Sequence, residues 1–261
     1  MKKYIFILLL VGVGYFFFIK TPIETDMQIS LADTSVVHGD LVLVNREVAL
    51  QADPVNLVEI PQDLSSNVQV QDRYLIQKQM LKPLQQLFEA AQNDGVEHFI
   101  LNSAYRSGKL QQQLFDEHGA SLALPRGHSE HQTGLSIDIG SVYGTMDNAN
   151  EGRWLETKAA QYGFILRYPP DKVDITDINY EPWHFRYVGL PHSVIMKDKN
   201  MVLEEYLAFL KQKKLYKTMV HDTSYVIQYS KSADTTRIPE TSHYTISGDN
   251  MNGFIITSIV E

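Results

Sequence analysis

Two short strings constrain this chain most, His131-Gln-Thr-Gly-Leu-Ser-Ile-Asp138 and Glu181-Pro-Trp-His184. They hold three residues of metal-ligand type and one further carboxylate, so a fold that uses them together has to bring both strings to one cleft. A catalytic Zn2+ takes three protein ligands from His and Asp or Glu and keeps its fourth position for water. His131, Asp138 and His184 suit the ligand positions, which leaves Glu181 as a general base toward that water. His128 and His118 are rival ligands: His128 stands three before His131, and such a pair on a helical turn chelates a metal without Asp138. The histidines at 38, 98, 192, 221 and 243 have no paired spacing and read as surface residues.

Hydrophobic periodicity makes the chain α+β. Over 68–93 the apolar positions Tyr74, Ile76, Met80, Leu81, Leu84, Leu87, Phe88 and Ala91 recur mostly at three and four, which predicts one amphipathic helix broken at Gly95. Phe99-Ile-Leu-Asn-Ser-Ala-Tyr105 reads as a buried strand and 109–118 as a helix stopped by Gly119. Arg106 and Gln111 then stand at a strand end and a helix start. In Leu135-Ser-Ile-Asp-Ile139, alternation turns Leu135, Ile137 and Ile139 to the core and Ser136 and Asp138 to the cleft. A helix is predicted over 154–162, ended by Gly163, followed by a strand over 164–168 that Pro169-Pro170 closes.

Trp183-His-Phe-Arg-Tyr187 alternates again, with Trp183, Phe185 and Tyr187 on a core face and His184 and Arg186 on the other. In a straight strand Glu181, three before His184, would take the face opposite the ligand. Pro182 marks an irregular entry that brings both groups to the cleft. A helix over 201–216 precedes strands at 225–229, 244–247 and 253–260, which form a C-terminal β extension. His38-Gly-Asp-Leu-Val-Leu-Val-Asn45 alternates weakly and predicts a strand near the N-terminus. The chain length permits one full-sized catalytic domain with appendages. The expected division is an anchor at 1–20, a linker and N-terminal segment at 21–66, the catalytic domain at 67–215 and the β extension at 216–261.

At the N-terminus Lys2 and Lys3 precede the uncharged run 4–19, and Lys20 follows it. At about 1.5 Å per residue such a run spans roughly 24 Å, against about 30 Å of hydrocarbon. Snorkelling lysines and local thinning absorb the difference. A cleaved signal peptide shares the positive start and apolar stretch, but Phe16-Phe-Phe-Ile-Lys-Thr-Pro offers no small-x-small site, which favours a retained single-pass anchor. Lys2 and Lys3 then lie in the cytoplasm and everything after Lys20 lies outside. The first twenty residues hold three lysines and no acid, so the remainder carries −11 against −8 for the whole chain. An acidic ectodomain argues against nucleic acid as a partner. The chain has no cysteine, so disulfides and a lipid-modified thiol are both excluded.

A third string lies upstream, where Ser103-Ala-Tyr105-Arg106-Ser107 is followed by Gln111. With Ser129-Glu-His131 through Asp138 and Glu181-Pro-Trp183-His184 it resembles, in content and order, the zinc-dependent D-Ala-D-Ala metallopeptidases of bacterial cell walls, and the VanY-type D,D-carboxypeptidases above all. That family carries Ser-x-His-x6-Asp followed by Glu-x-Trp-His, and the likeness runs over about 41–210. Ser136 stands where many members have Ala, a small-for-small change. The resemblance implies a small antiparallel sheet holding Zn2+, with helices packed on it. It selects His131, Asp138 and His184 as ligands over the His128 pair and makes Glu181 the proton carrier. It also places Arg106 and Gln111 in the substrate groove, with Arg106 in catalysis as well, and sets Ser129 against the terminal residue of the substrate.

The implied substrate is a peptidoglycan precursor or nascent wall peptide ending in D-Ala-D-Ala. Its shortening removes the target of vancomycin. The enzyme is expected as a monomer. Relatives cut L,D- or dipeptide bonds with the same metal site, so an L,D-carboxypeptidase of wall tetrapeptides stays open, as does a non-catalytic, membrane-anchored wall-binding sensor.

Overall fold

A computed structural model describes residues 22–120, 123–231 and 234–260, and the expected anchor at 4–19 lies outside them. Among the described residues no helix is long and apolar enough to cross a membrane. The first strand, β1 (Met27–Ser30), is followed by irregular chain to β2 (Leu57–Glu59). The stretch 68–93 is not one helix. It opens as β3 (Val68–Val70) and β4 (Leu75–Gln77), and only then becomes α1 (Lys78–Asn93). Val68 and Val70 are buried on either side of an exposed Gln69, a strand pattern. The helical spacing belongs to Met80, Leu84, Leu87, Phe88 and Ala91, which α1 buries.

Downstream come β5 (Phe99–Ser103), α2 (Gly108–His118), β6 (Ser136–Ser141), α3 (Asn150–Lys158), β7 (Phe164–Leu166), α4 (Val173–Thr176) and β8 (His184–Tyr187). Ser107 caps α2 by accepting from the Leu110 amide at 3.2 Å. A 3-10 turn prolongs α3 to Tyr162, and Gly163, at φ +90°, ends it. The strands lie in the order β3-β5-β6-β8-β7, antiparallel except for the parallel β3–β5 edge. Leu135, Ile137, Ile139, Phe185 and Tyr187 form one core with α1 and Leu155 of α3. The opposite face of β6 and β8 therefore carries Ser136, Asp138, His184 and Arg186, with Asp138 paired in register to His184.

The chain continues through α5 (His192–Asp198), α6 (Leu203–Lys213), β9 (Leu215–Val220), β10 (Thr223–Ser230), β11 (Thr235–Ile238), β12 (Tyr244–Gly248) and β13 (Phe254–Val260). The expected helix over 201–216 gives its last residues to β9. β12-β13-β10-β9 form an antiparallel sheet whose Ile227 and Ile255 pack with Leu207 and Leu210 of α6 and with Ile165 and Val188 of the first unit. β1 pairs with β11, joining the two ends of the described chain.

The expected strand at 38–45 does not form. Leu41, Val42, Leu43 and Val44 are all buried, so alternation there does not separate a wet face from a dry one. Leu41 and Leu43 join the C-terminal core while Val42 joins the first. Side chains satisfy much of its backbone: Arg186 donates to the Asp40 and Val42 carbonyls at 2.9 Å, and Asn250 to the Leu43 carbonyl at 2.8 Å.

His192, expected at the surface, is buried between α6 and β13. Its Nδ1 lies 2.8 Å from the Tyr206 hydroxyl and its Nε2 3.0 Å from Thr257 Oγ1. Burial pushes its pKa down to about 3, whereas the unfolded chain takes up that proton near pH 6.5. The unfolded state therefore binds the extra proton between these values, and stability falls as pH drops through 6.5. By pH 5 the loss is about 2 kcal/mol. In urea unfolding at pH 7 and pH 5, the native protein should lose about 2 kcal/mol more over that interval than His192→Gln, a comparison in which His184 and the other titrating groups cancel.

Candidate active site

His131 sits in the 3-10 turn Glu130–Thr133, and Gly134, left-handed at φ +69°, swings the chain from it into β6. A Cβ at Gly134 would stand 2.7 Å from Leu57 Cδ2, so the turn admits little else. His131 Nδ1 lies 2.7 Å from the Ala104 carbonyl, which can only accept. The proton is therefore on Nδ1, and Nε2 presents its lone pair to the cleft, 3.3 Å from Asp138 Oδ2. His184 is turned the other way. Its Nε2 lies 3.4 Å from Glu130 Oε2 and its Nδ1 3.1 Å from Asp138 Oδ1.

Glu181 reaches the same point because residues 181–184 form a tight turn, in which the His184 amide donates to the Glu181 carbonyl at 3.1 Å. Glu181 Oε2 ends 3.7 Å from His184 Nδ1. Arg106 Nη2 stands 3.5 Å from Asp138 Oδ2. The guanidinium is aimed by Ser103 Oγ and by Gln111 Oε1, each accepting at 3.1 Å. Gln111 in turn donates to the Leu124 carbonyl at 2.6 Å. Arg106, Gln111, Ser129, His131, Asp138, Glu181 and His184 all line one cleft of about 520 Å³.

The rivals lie elsewhere. His128 spends its Nδ1 on the Asn45 carbonyl at 2.8 Å, and His118 is exposed at the end of α2. Trp183, expected on the core face, is 41% exposed and lines the cleft. Strand alternation starts only at His184, so the turn sends Trp183 outward.

Burial alone would raise Asp138, yet His131 and His184 hold it far below the usual carboxylate range. Burial opposes a charge on His184 as well, but its hydrogen bonds to Asp138 and Glu130 carry it up to about 9. The attraction that holds a proton there is equally available to a divalent cation. Glu181 moves the other way: burial lifts it above the ordinary carboxylate range, with His184 opposing and Asp138 reinforcing.

The sequence profile of the VanY family, D-alanyl-D-alanine carboxypeptidase, matches residues 73–190. A D-alanyl-D-alanine carboxypeptidase of Enterococcus faecium is 41% identical over 241 residues, 90% of this chain and 80% of the relative. The chain belongs to the VanY-type D-Ala-D-Ala metallopeptidases. The vancomycin resistance D,D-dipeptidase VanXYg, solved with a D-Ala-D-Ala phosphinate analog, superposes on this VanY-type fold with a TM-score of 0.76. Identity is 32%, and the match covers 90% of this chain and 99% of that one. A VanY D,D-pentapeptidase variant from a VanB-type resistance cassette, solved with Zn(II), matches with a TM-score of 0.51 and 33% identity over 64% of this chain and 98% of that one.

The VanY-type donor set suits zinc. One donor atom from each of His131, Asp138 and His184 lies within 4.8 Å of the other two, and a tetrahedral Zn2+ with bonds of about 2.0–2.1 Å holds its ligand atoms roughly 3.4 Å apart. Sequence reasoning missed the charges behind this set. Glu130, Arg167 and Arg186 are almost completely buried, and the Tyr168 ring packs 4.9 Å from that of His184. A signal was present: Glu130 stands between Ser129 and His131, and Arg167 interrupts an otherwise apolar and aromatic run.

Proposed function

We propose that this chain is a zinc D,D-carboxypeptidase that removes the terminal D-Ala from peptidoglycan pentapeptide stems, and so depletes the D-Ala-D-Ala ends that vancomycin binds. The observation that carries the reading is the single cleft in which the Glu181 carboxylate stands 3.7 Å from His184, beside His131 and Asp138, with Arg106 opposite. His131, Asp138 and His184 would hold the ion. Bound there, zinc would act as a Lewis acid toward the scissile carbonyl and would lower the pKa of a water toward about 7.

The remaining steps belong to side chains. Glu181 takes the proton of the attacking water at a carboxylate oxygen and returns it to the leaving D-Ala nitrogen, a task that its raised pKa suits. Arg106, fixed by Ser103 and Gln111, is placed to pair with the standing charge of the terminal carboxylate or with the charge that develops on the carbonyl oxygen. Ser129, buried at the cleft wall, offers a hydroxyl to the terminal residue. The run 4–19 anchors a monomer whose catalytic part, 67–215, works outside the cytoplasm on wall peptides.

Incubating the purified protein with a pentapeptide stem ending in D-Ala-D-Ala should release one alanine by mass. A chelator should stop the release and added Zn(II) should restore it. An intact pentapeptide beside a trimmed tetrapeptide would replace this reading with an L,D-carboxypeptidase.

A further inference from the structure

Behind His184, four charged side chains are bonded into one group that begins with Glu130 at the cleft wall. Glu130 Oε1 accepts from Arg167 Nε and Arg186 Nη1, each at 2.8 Å. Arg167 turns its outer edge to Glu204 on α6, with Nη1 and Nη2 donating to its two oxygens at 2.9 and 2.7 Å. Arg186 spends its remaining donors on carbonyls, those of Tyr187 at 3.0 Å and of Asp40 and Val42 at 2.9 Å. The group holds two positive and two negative charges. Because both guanidiniums grip Oε1, the position of Glu130 Oε2 is set, and it is left to Ser136 Oγ at 3.1 Å and His184 Nε2 at 3.4 Å.

We propose that Glu130 is a positioning residue for the metal ligand His184, and that Glu204 completes the charge arrangement through which Glu130 acts. A carboxylate behind a ligating imidazole fixes its tautomer and strengthens it as a donor. With zinc bound it would keep the proton on Nε2 and leave the Nδ1 lone pair to the cation. Without Glu204, two guanidiniums facing one carboxylate would leave net positive charge behind a cation site. Glu204 lies outside the family-matched residues 73–190, as do Asp40, Val42 and Asn45, whose amide donates to Glu204 Oε1 at 3.1 Å. The geometry around His184 thus depends on chain on both sides of the family-matched stretch.

This inference rests on the zinc-site reading, and the two can be told apart. Zn(II) affinity would be measured by competition with a chromophoric chelator for the native chain, Glu130→Gln, Glu204→Gln and, as a control on the same helix, Glu205→Gln. Nitrogen-15 spectra of the zinc-loaded native protein would report the His184 tautomer. We expect the Nε2–H tautomer and an affinity lowered about 10- to 100-fold in Glu130→Gln. Glu204→Gln should fall near the low end of that range, with Glu205→Gln unchanged. If Glu130→Gln does not fold, Glu204→Gln and the native tautomer decide the matter. Unchanged affinity in both folded variants, or an Nδ1–H tautomer, would overturn the positioning role while leaving the zinc site standing. A native chain that binds no Zn(II) would take both readings down.

Discussion

The Glu181→Gln protein should bind zinc as the native chain does and turn over a D-Ala-D-Ala-ended peptide about 10²- to 10⁴-fold more slowly, the range expected for loss of a general acid–base group. Glutamine keeps the volume and polarity of the side chain but cannot accept a proton at Oε2. Asp138 lies 3.3 and 3.1 Å from the two histidines, whereas Glu181 stands 3.7 Å from His184, which suits the proposed division into ligand and proton carrier. The groups expected to hold the ground-state peptide, Arg106, Gln111 and Ser129, are untouched, so the loss should fall on kcat with KM little changed. Zinc content and steady-state kinetics together check this. Loss of zinc with activity would instead make Glu181 a fourth ligand.

Arg167→Met should destabilise the fold by about 3–5 kcal/mol, the cost of breaking a buried ion pair by removing one partner. The side chain is fully buried and serves two carboxylates at once, Glu130 through Nε and Glu204 through both terminal nitrogens. Methionine fills much of the space but leaves Arg186 as the one guanidinium on Glu130, and leaves Glu204 with the Asn45 amide. Urea unfolding of the native and variant proteins measures the difference. Arg73 is the contrast: its pair with Glu59 is close, yet its side chain is 80% exposed, so Arg73→Ala should leave stability nearly unchanged. Burial, not the number of contacts, separates the two arginines.

The elements that sequence reasoning read well are those whose environment repeats along the chain. Leu135, Ile137 and Ile139 alternate with Ser136 and Asp138 because β6 has one dry face and one cleft face along its length. Residues 68–77 misled because two short strands of different sheets precede a true amphipathic helix, and Tyr74 and Ile76 fall by chance on its spacing. Residues 41–44 misled because two cores flank them, so every side chain is buried and no period survives. His192 gave no warning, since a single histidine carries no periodicity and its partners Tyr206 and Thr257 lie far along the chain.

The sequence by itself determined which residues are of metal-ligand type and that Asp138 and His184 stand on cleft faces of their strands, because donor chemistry and alternation are local properties. It suggested an irregular entry at Pro182, and the structure made of it the tight turn that brings Glu181 beside His184. Only the tertiary structure decided that Glu130, Arg167, Arg186 and Glu204 form one charge group, and that the N-terminal segment and α6 close around it. Such pairings follow from the order β6-β8-β7 and from the packing of α6. A buried charge is stable only beside its counter-charge, and which counter-charge is near is set by the path of the whole chain.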